Sequence, residues 1–387
     1  MKTLLYFTLL ILCTLNACEK IGLNEEDPNG SIDELSDLGE FLTIPSSAYN
    51  YSDVDVPDFF NLQPNTEQDN TPNDNEVTDW GATLGRVLFY DKILSANNTV
   101  SCSSCHLQQS GFSDPDQFSQ GFEGGFTGRN SMGISNAKYY ENGHFFWDER
   151  AETLEDQVLM PIQDETEMGL TLTELVAKVE EQSYYPVLFE QVYGDKEVSP
   201  ERISKALAQF VRAIVSYQSK YDVGRAQVNN PEQDFSNYSD IENMGKDIFF
   251  NQRGDCARCH TSDLFVGDEA RNNGLDAVLT DLGLGAVTGR ANDNGKFKVG
   301  SLRNIELTAP YMHDGRFETL EEVVEHYNSG VQASATLDNR LSERNSNNPR
   351  RLNLSDQEKA ALVAFMKTLT DNELIADEKF SSPFKEN

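Results

Sequence analysis

The stretch TVSCSSCH, residues 99–106, contains two cysteines and a histidine in the order C-x-x-C-H. A second stretch, GDCARCH, residues 254–260, has the same order. Two thiols at this spacing can add to the two vinyl groups of one haem, and the histidine that follows is placed to ligate its iron. We therefore predict two covalently attached c-type haems. The attaching thiols and proximal ligands are Cys102, Cys105, His106, Cys256, Cys259 and His260.

Paired cysteines have two other common uses. A thioredoxin-like dithiol also reads C-x-x-C, but it does not explain a histidine directly after both pairs. A zinc site could be built from the four cysteines and two histidines. Two complete motifs in an exported chain favour covalent haem over both alternatives.

The N-terminal sequence MKTLLYFTLLILCTLNAC is typical of an export signal. Its apolar run, residues 4–15, is too short to span a bilayer. The ending LNAC resembles a bacterial lipobox, so we predict cleavage before Cys18 and a lipid on that residue; an ordinary signal peptide cut nearby is the alternative. We expect a lipoprotein of a Gram-negative cell envelope, facing the periplasm or the cell surface and attached to the membrane by its lipid alone.

Length and charge limit the remaining possibilities. The chain has 387 residues, enough for two ordinary domains, and a formal net charge of −33. This charge excludes nucleic acid and bare anionic membrane as expected partners. It would attract a cationic protein partner, and solubility alone is an equally good reason for it.

Pattern and composition divide the chain into four parts. These are a lipoprotein signal at 1–18, an acidic tether and wrapping segment at 19–78, and haem domains at 79–225 and 226–387. The later part of the wrapping segment is expected to pack on the body through Val56, Phe59, Phe60 and Leu62. Beyond the haem motifs, no other repeat is clear.

Helical signals dominate the body. SPERISKALAQFVRAIVSYQ begins with an N-cap serine, Ser199, and a first-turn proline, and it places Ile203, Leu207, Phe210 and Ile214 on one face. Two further helices begin with capping boxes, Thr319 with Glu322 and Ser355 with Glu358. Long Gly- and Asn-rich loops at 111–135 and 272–300 are expected to line a cavity. We predict a mainly α fold of two cytochrome c-like haem domains with long irregular loops.

Three long motifs carry a resemblance to a known family. They are LGRVLFYDKILSANNTVSCSSCH, GRNSMGISNAKYYENGHFFWDERAETLEDQVLMPIQDETEMG and KVGSLRNIELTAPYMHDGRFETLEEVVEHYNSG. From about residue 79 to 369 the chain resembles the bacterial di-haem cytochrome c peroxidase/MauG family. The resemblance implies unequal roles: the first haem is the peroxide site and the second relays electrons.

The resemblance also implies roles for three residues around the first haem. Trp147 matches the tryptophan placed between the haems, Glu167 the catalytic acid–base, and Gln157 a distal glutamine that hydrogen-bonds bound oxygen species. A carboxylate near the open face of the haem can move the proton that peroxide must transfer. From the residues alone, Trp147 would be a core aromatic, Glu167 a solvated acid and Gln157 a polar helix-face residue.

Two positions depart from the usual pattern of family peroxidases. Where enzymes that need reductive activation have a distal histidine, this chain has Phe122, which cannot ligate iron, so we predict an open first haem in the fully oxidised state. At the sixth-ligand position of the second haem, where methionine is typical and MauG has tyrosine, this chain has Tyr327. A tyrosine oxygen would lower the haem's potential. His326 and Met312 are rival ligands, and Tyr327 could also be a core aromatic.

A calcium ion between the domains is implied as well. The matching ligands are the Asn130 side chain and the backbone carbonyls of Thr308 and Pro310, with waters completing the set. His313 matches a family histidine near the relay haem, with a loop-stabilising role as the alternative, and His144 is expected to be a surface or core residue.

The resemblance makes a peroxidase the leading function. Hydrogen peroxide would be reduced to water with electrons from a small donor protein such as a cytochrome c or a cupredoxin. A MauG-like enzyme that oxidises side chains of a partner protein is the alternative, favoured by Phe122 and Tyr327. A pure electron carrier with both haems capped is a third hypothesis, and the missing distal histidine argues against it. A homodimer is expected by analogy alone.

Overall fold

The computed structural model describes residues 38–385 except 345 and 347. The export signal, the lipid site at Cys18 and the tether up to residue 37 lie outside the described residues. Within the described residues, no helix has the length and apolar character needed to cross a membrane.

The fold is mainly α-helical, as predicted, and among the described residues β-structure is limited to isolated bridges. The α-helices are α1 Asp79–Tyr90, α2 Cys102–Cys105, α3 Leu154–Gln157, α4 Met160–Gln163, α5 Leu172–Glu180, α6 Tyr184–Tyr193, α7 Pro200–Ala213, α8 Lys220–Arg225, α9 Asp240–Phe250, α10 Leu284–Thr288, α11 Leu320–Glu325, α12 Asp356–Lys367 and α13 Asn372–Ala376. A π-helical turn, His326–Gly330, continues α11.

Short 3-10 helices fill many of the connections. They are Leu38–Glu40, Asp58–Asn61, Asn65–Gln68, Lys92–Leu94, Gln108–Ser110, Cys256–Arg258, Ala291–Asp293, Ile305–Leu307, Asn339–Leu341 and Glu378–Phe380.

The predicted helix starts are confirmed. The side chain of Ser199 accepts a hydrogen bond from the Arg202 amide, and Pro200 stands at the first position of α7. Capping boxes begin α11 at Thr319 and α12 at Ser355. These caps satisfy amide groups that have no partner inside the helix, which is why local sequence specifies where the helices begin.

Each half of the molecule is built around one pair of helices in close contact. In the first half α1 packs on α7, and in the second α9 packs on α12. A Cβ on Gly85 of α1 would lie 2.0 Å from the Ala206 carbonyl oxygen, and one on Gly245 of α9 would lie 1.8 Å from the Ala361 carbonyl oxygen. Glycine therefore permits the same backbone approach in both halves, a repeat that the sequence analysis missed.

Two hydrophobic cores follow from these pairs, and a smaller cluster lies between them. The first core contains residues from α1, α5, α6 and α7, and the second contains residues from α9 and α12. In the smaller cluster, Phe59 and Phe60 of the wrapping segment pack with Tyr139 and Tyr140, as predicted. Leu62 was expected to pack as well, but it is 57% exposed, because the 3-10 helix that buries the two phenylalanines ends at Asn61.

The end of the chain returns to the first core. Leu374 and Phe380 are buried there, and the Nε of Arg86 in α1 donates to the Ser381 carbonyl at 2.6 Å. The last described residues, up to 385, therefore pack on the first half, although the sequence boundaries place them in the second haem domain.

Candidate active site

Two cavities lie where the predicted haems would sit. The first, of about 590 Å³, is lined by Cys102, Cys105 and His106. The second, of about 270 Å³, is lined by Cys256, Cys259 and His260. The loops at 111–135 and 272–300 contribute to these walls, as predicted. None of the four motif cysteines is in a disulfide, so each cavity presents the cysteine pair that covalent haem attachment requires.

The two motif histidines are held in the orientation that iron ligation needs. Nδ1 of His106 donates to the Phe112 carbonyl at 3.0 Å, and Nδ1 of His260 donates to the Phe265 carbonyl at 3.2 Å. This leaves Nε2 as the free nitrogen of each ring. Burial lowers the pKa of both imidazoles, that of His260 to about 4, so both are in the neutral form that binds metal.

The two phenylalanines that accept these hydrogen bonds share an unusual backbone. Phe112 has φ 60° and Phe265 has φ 53°, and both are fully buried. The left-handed conformation is costly for a bulky residue and persists only where the surroundings impose it. The same left-handed phenylalanine follows both motifs. This indicates that each half orients its motif histidine in the same way, by a hydrogen bond to that phenylalanine's carbonyl. The residues of both cavities therefore fit a c-type haem.

Glu167 lies in the wall of the first cavity, on a turn that is fixed by hydrogen bonds. Oδ1 of Asp164 accepts from the amides of Thr166 at 2.8 Å and Glu167 at 3.2 Å. The Phe122 amide donates to the Glu167 carbonyl at 3.1 Å. Burial raises the pKa of Glu167 to about 6; the charge of Asp164 adds to the rise and Arg150 opposes it. A carboxyl that titrates near neutral pH can both accept and return a proton.

Gln157 and Trp147 also line the first cavity, and Trp147 lines the second one as well. Nε1 of Trp147 donates to the Asn130 carbonyl at 2.8 Å, and its own carbonyl accepts from the Lys298 amide at 2.8 Å. The indole nitrogen and the backbone of Trp147 are therefore each held by a hydrogen bond, and the residue lies in the partition between the two cavities.

Phe122 does not contribute to the first cavity wall. Its ring packs against Gly169, where a Cβ would lie 2.4 Å from a ring carbon. Among the described residues, His106 is the only histidine that lines this cavity. Apart from this proximal ligand, the described wall therefore offers carboxyl and amide side chains, Glu167 and Gln157 among them, but no further imidazole.

Two of the three candidates for the sixth ligand of the second haem line the second cavity. Tyr327 and Met312 are in its wall, whereas His326 is not. Nε2 of His326 instead donates to the Asn273 carbonyl at 3.1 Å. Burial raises the pKa of Tyr327 to about 12, and a hydrogen bond with the Asn273 side chain opposes the rise. The Nδ2 group of Asn273 also donates to Met312 Sδ at 3.4 Å.

The three residues matched to calcium lie in one region. Asn130, Thr308 and Pro310 all line the second cavity. Asn130 is buried, and its Nδ2 donates to the backbone carbonyls of Asp116 and Gln117 at 3.3 and 3.2 Å. The described residues contain no cluster of three or more His, Cys, Asp or Glu side chains that could hold a metal. A cation here would therefore depend on amide, carbonyl and water oxygens.

The remaining histidines have different surroundings. His313 lines the second cavity and stacks on Phe297 with ring centroids 3.7 Å apart. His144 is half-buried, and its carbonyl accepts from Lys298 Nζ at 2.7 Å.

A buried polar group beside the first cavity was not found from the sequence. Tyr140 lines this cavity, and its hydroxyl donates to the buried Glu149 carboxylate. Lys298 lies over the Tyr140 ring and, among the described lysines and arginines, is the one that lines both cavities. Lys298 is far from Tyr140 and Glu149 in sequence, and the three residues form no recognised pattern, so only the fold brings them together.

Comparison with known proteins gives a consistent result. A family model described as di-haem cytochrome c peroxidase matches residues 80–228. The methylamine utilization protein MauG of Methylophilus methylotrophus is 32% identical over 304 residues, covering 77% of this chain and 84% of the relative. The cytochrome c551 peroxidase of Nitrosomonas europaea is 32% identical over 296 residues, covering 76% and 80%.

Solved structures show the same fold. A MauG-like protein associated with microbial copper homeostasis superposes with a TM-score of 0.72 and 34% identity, covering 86% of this chain and 99% of that one. The diheme peroxidase BthA of Burkholderia thailandensis, at 21% identity and a TM-score of 0.65, covers 81% of this chain and 92% of its own and shares the fold.

Proposed function

The chain belongs to the di-haem cytochrome c peroxidase/MauG family, and from this premise we propose that it reduces hydrogen peroxide to water with electrons from a small redox protein. The observation that carries the proposal is the first cavity. It combines one motif histidine with the half-buried carboxyl of Glu167, and the described part of its wall contains no second histidine. This is the arrangement of a site that is open to a small substrate and equipped to move its protons.

The haem, when bound, supplies the electron transfer and the iron site for peroxide. The chain's own residues handle the protons. In the proposed reaction a Glu167 carboxylate oxygen takes the proton from one oxygen of hydrogen peroxide and delivers it to the other, so that this second oxygen can leave as water. Gln157 orients the substrate with its side-chain amide. Two electrons and two further protons complete the formation of two waters.

The second cavity receives the electrons in this proposal. Trp147 would connect the two haems, and its presence in the walls of both cavities supports this role. Tyr327 is the proposed sixth ligand of the second haem, and Met312 is the other candidate in the described wall. An oxygen ligand would give this haem a lower potential than a methionine sulfur would.

The proposed setting follows from charge and sequence. The net charge of −33 favours a cationic donor, such as a small cytochrome c or a cupredoxin. The export signal with Cys18 supports a lipid-anchored protein in a Gram-negative envelope. A calcium ion held by Asn130, Thr308 and Pro310 and a homodimeric state are part of the same proposal.

A MauG-like oxidation of partner side chains is the second candidate. Tyr327 in the second cavity wall and Phe122 in place of a distal histidine favour it. The relatives include both MauG and peroxidases at similar identity, so resemblance does not separate the two functions.

One assay separates them. The haem-loaded, fully oxidised protein is mixed with hydrogen peroxide and reduced cytochrome c, without reductive pretreatment. Rapid oxidation of the cytochrome that is lost in Glu167→Gln supports the peroxidase. If peroxide changes the haem absorbance but no donor is oxidised, the partner-oxidising function is favoured. No reaction with peroxide would contradict both.

A further inference from the structure

A buried tyrosine and a buried glutamate form a pair beside the first cavity. The hydroxyl of Tyr140, which is 1% exposed, donates to Oε1 of Glu149, which is 5% exposed. Tyr140 lines the cavity, whereas Glu149 lies behind it and is not part of the cavity wall. The phenol therefore stands between the predicted first haem and a proton acceptor.

The loop around Glu149 is shaped to hold the carboxylate inward. Phe145 and Ala151 form a β-bridge through backbone hydrogen bonds of 2.9 and 3.4 Å. Between them Phe146 has φ 68° and Glu149 has φ 57°, the left-handed conformation that side chains rarely adopt. Nδ2 of Asn142 donates to Oε2 of Glu149 at 3.1 Å, so both carboxylate oxygens are engaged. Such strain persists where the surrounding structure imposes it, often at functional sites.

The Lys298 amine covers the face of the same tyrosine. Its Nζ lies 3.7 Å from the centroid of the Tyr140 ring and donates to the His144 carbonyl at 2.7 Å. Burial lowers the pKa of this amine to about 7, and the Glu149 carboxylate opposes that effect. In its protonated form the amine stabilises the neutral ring through its electron-rich face and opposes any positive charge on it. Removing an electron from Tyr140 is therefore favourable only if its phenolic proton leaves at the same time. Glu149 is in hydrogen-bond contact and can accept that proton.

We propose that Tyr140 is a redox-active tyrosine with Glu149 as its proton acceptor. The inference rests on the proposed peroxide reaction at the first haem. Hydrogen peroxide is the oxidant, and one of the two electrons that it takes through this haem comes from Tyr140. The phenolic proton moves to Glu149, which leaves a neutral tyrosyl radical and a protonated carboxyl. An electron from the donor protein and return of the proton restore the pair.

The neighbouring tyrosine is a matched control. Tyr139 lines the same cavity and is 8% exposed. Its ring packs on Phe60, and among the described residues its hydroxyl donates to no carboxylate. The two tyrosines are thus neighbours in the chain, both are buried, and both line the first cavity. They differ in that only the Tyr140 hydroxyl donates to a carboxylate among the described residues.

The test is electron paramagnetic resonance of the haem-loaded protein, frozen soon after one equivalent of hydrogen peroxide is added. We expect an organic radical signal whose hyperfine pattern changes when ring-deuterated tyrosine is incorporated. The signal should disappear in Tyr140→Phe and persist in Tyr139→Phe. Glu149→Gln retains the buried polar group but removes the base, and it should slow radical formation by about 10²-fold, as expected for loss of a general base.

The controls keep this inference separate from the proposed function. A tyrosyl signal that survives Tyr140→Phe, or that is lost in Tyr139→Phe, would overturn the assignment. If haem absorbance responds to peroxide and no tyrosyl signal forms, the inference fails while the peroxide reaction stands. If the absorbance does not respond, the proposed function fails. Flash-generated ruthenium(III) tris-bipyridine then replaces peroxide as the oxidant, and equal signals from the Tyr140→Phe and Tyr139→Phe variants would overturn the inference.

Discussion

His326 and Tyr327 are consecutive residues whose side chains have different surroundings. Tyr327 lines the second cavity, whereas Nε2 of His326 donates to the Asn273 carbonyl at 3.1 Å. Both belong to the π-helical turn that follows α11. Histidine is the more common metal ligand, but the His326 ring is hydrogen-bonded to the Asn273 carbonyl. The Tyr327 phenol lines the second cavity instead.

This relationship predicts an asymmetric response to substitution. Tyr327→Phe should change the absorption and magnetic circular dichroism spectra of the second haem, because it removes the proposed ligand oxygen. His326→Gln preserves a hydrogen-bond donor toward Asn273 and should leave those spectra unaltered. If Met312→Leu changes the spectra and Tyr327→Phe does not, methionine is the ligand and the tyrosine assignment is wrong.

The raised pKa of Glu167 predicts a pH dependence. The carboxylate is the proposed proton acceptor, and burial raises its pKa to about 6. The second-order rate constant for the reaction with peroxide should therefore increase as pH rises through about 6 and level off above it. Glu167→Gln should lower that constant by about 10²–10⁴-fold at neutral pH and abolish this limb of the profile. Stopped-flow absorbance at the haem bands measures both effects.

Glu165 provides the control for this prediction. It is exposed and lies two residues earlier on the same turn. Glu165→Gln removes the same charge from the same region without touching the cavity, so its rate constant should match that of the unmodified protein. If both substitutions lowered the rate constant equally, Glu167 would act through its negative charge and not as the acid–base.

The first haem should be accessible without prior reduction. His106 is the only histidine in the described wall of the first cavity, and the Phe122 ring packs on Gly169. Cyanide added to the fully oxidised protein should therefore bind one haem promptly, which a titration followed by absorbance would show. A resting spectrum with two histidines on the first haem, or binding that begins only after reduction, would contradict this.

The proposed calcium site predicts selective binding of a hard cation. Isothermal titration of the chelator-treated protein should detect Ca²⁺ but little affinity for Mg²⁺, which requires a tighter octahedral set of ligands. Asn130→Ala should weaken the binding, since it removes the side-chain oxygen. The hydrogen bond from Trp147 goes to the Asn130 backbone carbonyl and should survive the substitution. Equal affinity in both proteins would exclude Asn130 as a ligand.

Local signals account for the part of the structure that sequence predicted. The haem motifs, the caps of α7, α11 and α12, and the burial of Phe59 and Phe60 each depend on residues a few positions apart. Short sequence patterns are sufficient to predict such interactions. The fold class followed from them, because helices with apolar faces and two haem motifs leave few ways to build a core.

The features that the sequence did not predict depend on long-range contacts or on loop conformations that have no sequence pattern. Arg86 donates to Ser381, which is 295 positions away, and nothing near either residue indicates the other. Tyr140 and Glu149 meet through a loop in which Phe146 and Glu149 are left-handed although neither is a glycine, so the local sequence does not predict this turn. The repeat of α1 and α9 was missed because the two helices share little besides a glycine at the crossing and aromatic residues after it.

The π-helical turn at His326–Gly330 has an evolutionary consequence. Such a turn holds one residue more than an α-turn, and each residue of a helix advances by about 100° around the axis. Loss of one residue here would rotate the helix face and present a different side chain to the second haem. A one-residue deletion in this turn would therefore change which side chain takes the place of Tyr327, the proposed axial ligand, with every neighbouring amino acid left as it was.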